Sequence, residues 1–127
     1  MRTSLVGVTC AISLACGSPT APIAGRLAVK VAPPNLELTN VSPATVYYLA
    51  MESGLAMRSN WAPCTDPEKC SGIPVFASHT LAYTDIDGYS DTATHASVYW
   101  WHLVRRGSGY GADSIRGTVV ELRRTGP

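Results

Sequence analysis

Ser97 to Val104, SVYWWHLV, is the stretch whose reading decides the fold. Its density of β-branched and aromatic residues suits a pleated, largely buried strand. Successive side chains of a strand point to opposite faces. Val98, Trp100, His102 and Val104 therefore share one face, and Tyr99, Trp101 and Leu103 share the other. Neither set is polar, so both faces of the sheet around this strand must be at least partly covered.

Working outward, other segments repeat the pattern. Leu27, Val29 and Val31 alternate with Ala28 and Lys30 until Pro33-Pro34, which cannot donate to a ladder, ends the run. Leu36 to Val41 alternates again, NVSPA from Asn40 to Ala44 supplies turn residues, and Thr45 to Met51, TVYYLAM, resumes a β-rich run. These two strands are expected to form a hairpin. Leu55 to Trp61 reads as a weaker fourth strand and Pro74 to Tyr83 as a fifth, while Arg105 to Asp113 reads as a glycine-rich loop and Ile115 to Leu122 as the closing strand. Seven short strands without a 3.6-residue period predict an all-β, seven-stranded antiparallel sandwich, with a small β-barrel as the alternative. LELTNVSPATVYYL, Leu36 to Leu49, resembles the B to C hairpin of immunoglobulin-like envelope domains, which implies an immunoglobulin-like sandwich.

The N-terminus stands apart from this body. One positive charge at Arg2 precedes an uncharged, mostly apolar run from Leu5 to Ala15 that is too short to span a bilayer as a helix, which is the pattern of a secretory signal peptide. Ile12-Ser13-Leu14-Ala15-Cys16 resembles the lipobox of bacterial lipoproteins. That resemblance implies cleavage before Cys16, acylation of Cys16, and attachment to a membrane of the bacterial cell envelope, facing the periplasm or the exterior. The alternative is an ordinary signal-peptidase cut near Ala15 or Ala24, leaving a soluble secreted protein. Gly17 to Gly25, GSPTAPIAG, has the composition of a tether. The expected division is a signal peptide over 1–15, a tether over 16–25 and a sandwich domain over 26–124.

Cysteine usage fits a secreted protein. Of four cysteines, Cys10 would leave with the signal and Cys16 would carry lipid, so Cys64 and Cys70 remain as a disulfide pair. Their spacing is unlike a zinc ribbon, and they are too close in sequence to bridge two sheets as in antibody domains. Once Arg2 is removed, nine Lys/Arg balance nine Asp/Glu, which excludes the concentrated basic face that a nucleic-acid partner requires.

Chemistry-bearing motifs are sparse. Asp85, Asp87 and Asp91 around Gly88 resemble part of a calcium loop, but the glycine and the terminal ligand fall at the wrong steps for an EF-hand. Gly107-Ser108-Gly109 sits in a strand-to-strand loop rather than in a nucleophile elbow. No enzyme activity, metal or cofactor is expected. The sequence has a single phenylalanine, Phe76, beside six tyrosines and three tryptophans. Aromatics with a polar edge suit half-buried or ligand-facing positions. Within Tyr47/Tyr48 and Trp100/Trp101, one member is expected in the core and the other outward. Tyr48, Trp61, Tyr99 and Trp101 are the candidate ligand-facing aromatics. The expected role is a non-catalytic structural or protein-interaction one, with the membrane and an envelope protein as partners; the alternative is a glycan- or peptide-binding module.

Overall fold

The computed structural model describes residues 26–124. The signal, Cys16 and the tether lie outside the described residues. Seven strands form: β1 (Leu27–Ala32), β2 (Asn35–Asn40), β3 (Val46–Glu52), β4 (Gly72–Ile73), β5 (Ser78–Ala82), β6 (His95–Arg106) and β7 (Gly109–Glu121), with a single-turn-and-a-half helix α1 (Ser53–Arg58). They make a three-stranded sheet, β1-β2-β5, and a four-stranded sheet, β4-β3-β6-β7, antiparallel throughout. The two sheets pack face to face and do not close into a barrel. Three strands against four, all antiparallel, make a two-sheet β-sandwich.

The core is built from the faces that alternation predicts. Leu36 and Leu38 on β2, Val46 and Ala50 on β3, and Ala96, Val98 and Trp100 on β6 are all buried in one cluster with Leu27, Ile73 and Leu81. Each is a period-2 member of its strand, so burying one face of each sheet removes the whole set from water.

Three expectations are corrected. β2 does not pair with β3. It pairs with β1 across the Pro33-Pro34 turn, and β3 belongs to the other sheet. The connecting residues carry the chain across the sandwich because Asn40 turns its side chain inward, as described below. Leu55 to Arg58 is helix rather than strand, because the Glu52 carboxylate accepts hydrogen bonds from Gly54 N (2.8 Å) and Leu55 N (2.9 Å). These bonds cap a run of good helix formers. The loop expected over Arg105 to Asp113 shrinks to two residues, with Arg106 paired to Gly109, so β6 and β7 form a long hairpin. Gly107, at φ 60°, supplies the left-handed turn.

Candidate functional site

The outer face of the four-stranded sheet, turned away from the sandwich core, carries the most unusual side chains. Tyr47 on β3 lies opposite Trp101 on β6, and Leu49 lies opposite Tyr99. Adjacent strands leave room for these rings: a Cβ at Gly117 on β7 would stand 2.8 Å from the Tyr99 ring, and one at Gly72 on β4 would stand 3.0 Å from Tyr47. Trp61 covers the row from above, with ring centroids 4.5 Å from Tyr99 and 6.1 Å from Trp101.

Trp61 reaches this position because the β3–β4 connection, residues 53–71, folds back over the sheet. One hydrogen bond ties the connection to the sheet and one disulfide stiffens it. The Trp101 indole Nε1 donates to the Cys64 carbonyl oxygen at 3.0 Å, and Cys64 is joined to Cys70 by a disulfide with a Cα–Cα distance of 5.7 Å. The disulfide expected from the cysteine count is thus present, and it closes a short ring within the cover. Trp101 is only 1% exposed as a result. It presents no face to a ligand, and both Trp100 and Trp101 are buried. Tyr48 points the other way: it packs half-buried against the core, with its ring centroid 5.9 Å from His79. Burial, and secondarily Asp85, pushes the Tyr48 hydroxyl above its ordinary pKa of 10.0. Of the four candidate aromatics, Trp61, Tyr99 and Trp101 are brought together and Tyr48 is not.

A second polar cluster sits where the chain crosses between sheets. Asn40, fully buried, brings the two N–H donors of Nδ2 within reach of three carbonyls, those of Ala44 (2.8 Å), Ile73 (2.9 Å) and Pro74 (3.1 Å). Its Oδ1 accepts from Ser42 N at 2.9 Å and Ser42 Oγ at 2.7 Å. Ser42 Oγ also lies 3.2 Å from His102 Nε2, and Asp113 stands opposite His102 in the β6–β7 register. A serine, a histidine and an aspartate are therefore neighbours, a grouping that sequence spacing did not reveal because 71 residues separate the first from the last. Its geometry serves folding. The Ser42 hydroxyl has one proton, and Asn40 Oδ1 and the Ala44 carbonyl oxygen, at 3.0 Å, both lie within its reach. His102 Nε2 is one more partner within reach of the same hydroxyl. The serine is fully buried, with no face for a substrate. Burial of the imidazole lowers the His102 pKa below 6.5, partly opposed by Asp113, so the ring is neutral at pH 7.

The acidic turn also has a local structural role. Asp87 is tied by its backbone to β3, donating to the Ala50 carbonyl (3.2 Å) and accepting from Glu52 N (2.7 Å). Gly88, at φ 79°, passes beneath Leu55 of α1 so closely that a Cβ there would stand 2.8 Å from the leucine side chain. Asp85, Asp87 and Asp91 do not converge, and the described residues contain no cluster of three or more His, Cys, Asp or Glu able to hold a metal ion.

No protein-family model, curated protein or solved structure matches this chain. The functional reading rests on the residues alone. What sequence reasoning missed here is Asn40, which reads as an ordinary turn residue. The Asn-x-Ser spacing allowed by an Asx turn was the available signal.

Proposed function

We propose that this chain is a lipid-anchored protein of the bacterial cell envelope, held by Cys16, whose sandwich domain has a non-catalytic structural or protein-interaction role. One observation carries the role: the aromatic row that a glycan or peptide would stack on is already occupied by the protein's own Trp61 and disulfide loop. What remains open is β7, a 13-residue strand at the edge of its sheet, with Ile115 and Val119 exposed. An open edge of this length is suited to receiving a strand or a flat surface from a partner.

The anchor is tested by intact mass of the chain purified from host membranes. The expected mass corresponds to cleavage before Cys16 plus acyl chains, and Cys16→Ser is expected to abolish the added acyl mass. An unmodified mass of the natural chain contradicts the anchor. The interaction role is tested by Ile115→Lys/Val119→Lys in the host. This variant is expected to keep its melting temperature and to lose the envelope complex that the natural chain forms on a native gel; an unchanged complex counts against β7. A glycan panel that shifts tryptophan emission would favour the alternative of a sugar-binding module.

A further inference from the structure

We propose that the end of the sandwich nearest the tether inserts into the lipid bilayer through Phe76, Val75 and Val41, an inference that builds on the lipid-anchor reading. The lone phenylalanine is not in the core. It is 70% exposed and sits at φ 58°, a left-handed conformation that disfavours bulky L-residues. It occupies the third position of the turn Pro74 to Ala77, closed by Ala77 N donating to Pro74 O at 3.0 Å, where glycine or asparagine is the usual choice if φ is positive. An apolar ring held in water, in a backbone conformation that costs free energy, benefits neither folding nor solubility. Strain kept at an exposed position points to a functional contact.

Phe76 is not isolated. The β2–β5 pairing ends at Thr39 and Ser78, and Asn40 N donating to Ala77 O (2.9 Å) extends it by one pair, so Val41 and Phe76 are the next residues on the two adjoining segments. Val75 and Val41 are 43% and 41% exposed. Val41 N in turn donates to the carbonyl of Arg26, the first described residue, at 3.2 Å. The apolar tip is therefore at the point where the domain joins the tether. Only residues 17–25 separate Arg26 from Cys16. Even fully extended at about 3.3–3.6 Å per residue, they reach roughly 30 Å. The chain from Cys16 thus enters the domain at the end that carries the tip, one strand length away from the Pro33-Pro34 end. The occupant is the acyl region rather than a headgroup, since the three side chains carry no charge or hydrogen-bonding group.

The test uses the full chain purified from host membranes and reconstituted in phosphatidylethanolamine/phosphatidylglycerol vesicles with brominated acyl chains. Phe76→Trp is expected to add blue-shifted emission that the bromines quench beyond the wild-type level, which comes from the buried Trp100 and Trp101 and the half-buried Trp61. Phe76→Gly, which suits the left-handed turn, is expected to keep or raise the melting temperature. In the unacylated Cys16→Ser chain, the same Phe76→Gly change is expected to lower vesicle partitioning about tenfold. Intact mass is recorded in parallel. Acylated protein whose added tryptophan is not quenched overturns the tip and leaves the anchor standing. Quenching without acylation supports the tip and overturns the anchor. Red-shifted, unquenched emission together with Phe76→Gly partitioning equal to the parent overturns the tip, and an envelope protein then becomes the occupant to seek.

Discussion

The two faces of the four-stranded sheet are both covered, but by different means. The inner face, with Val46, Ala50, Val98 and Trp100, is covered by a second sheet whose side chains alternate in register with it. The outer face, with Tyr47, Tyr99 and Trp101, is covered by a single connection that includes a six-residue helix and one disulfide loop. The inner cover is cooperative with the fold, whereas the outer one is a lid attached at a few points. The two should therefore respond differently to mutation, reduction and pH.

The largest effect is expected inside. Leu36→Ala removes a fully buried side chain from the sandwich core, and a loss of roughly 2–5 kcal/mol in chemical denaturation is expected. A loss within a few tenths of a kcal/mol would mean that the inner face is not a packed core. Asn40→Ala should follow at roughly 2–3 kcal/mol, because it leaves buried carbonyls at the crossing between sheets without their donor. Asn40→Asp, which keeps the acceptor and loses the donor, should be nearly as damaging.

The lid comes next. Replacing Cys64 and Cys70 by serine is expected to cost at most about 2.4 kcal/mol, the loop-closure value for so short a ring. It should loosen residues 53–71 without unfolding the sandwich, seen as faster amide exchange confined to that segment. A smaller contrast separates the paired tryptophans. The Trp101 indole N–H has a partner in the Cys64 carbonyl oxygen, whereas the buried Trp100 Nε1 has none among the described residues. Trp101→Phe is thus expected to be worse than Trp100→Phe by about 1 kcal/mol. Equal losses would remove the lid's hydrogen bond from the account.

Acid should dissect the two regions in sequence. His102 has a folded pKa below 6.5, so the unfolded chain binds its proton first and stability falls as pH drops below about 6.5 toward the folded value. Glu52 has a folded pKa below 4.5, because its carboxylate accepts the two backbone N–H bonds that cap α1 and, to a lesser degree, because of Arg58. Its contribution is present above 4.5 and is lost only at lower pH, with α1 fraying. Melting temperature against pH should show the first step vanish in His102→Gln and the second in Glu52→Gln.

The same contrast explains how much was legible in the sequence. Strands around Leu27, Leu36, Val46, Val98 and Val120 follow period-2 alternation, which is local information, and the inner face follows from it. The outer lid depends on contacts made at a distance: Trp61 reaching Tyr99, and Trp101 reaching Cys64. Alternation correctly placed Trp100 and Trp101 on opposite faces but cannot say that a connection will cover the second. In sequence the β2–β3 crossing looks like a hairpin because Asn, Ser and Pro serve both kinds of turn. Only the burial of the Asn40 amide distinguishes them. At residues 53–58 the deciding group, the Glu52 carboxylate, lies just before the segment that it caps.

The most direct test of the covered aromatic face is acrylamide quenching of tryptophan emission before and after reduction of Cys64–Cys70, with far-UV circular dichroism as the check on the sandwich. Low quenching in the oxidised protein, rising on reduction while the β signal persists, is the expected result. Emission already open to acrylamide in the oxidised protein would contradict the account: the aromatic row would then be free, and a stacking ligand would be the better explanation of Trp61, Tyr99 and Trp101.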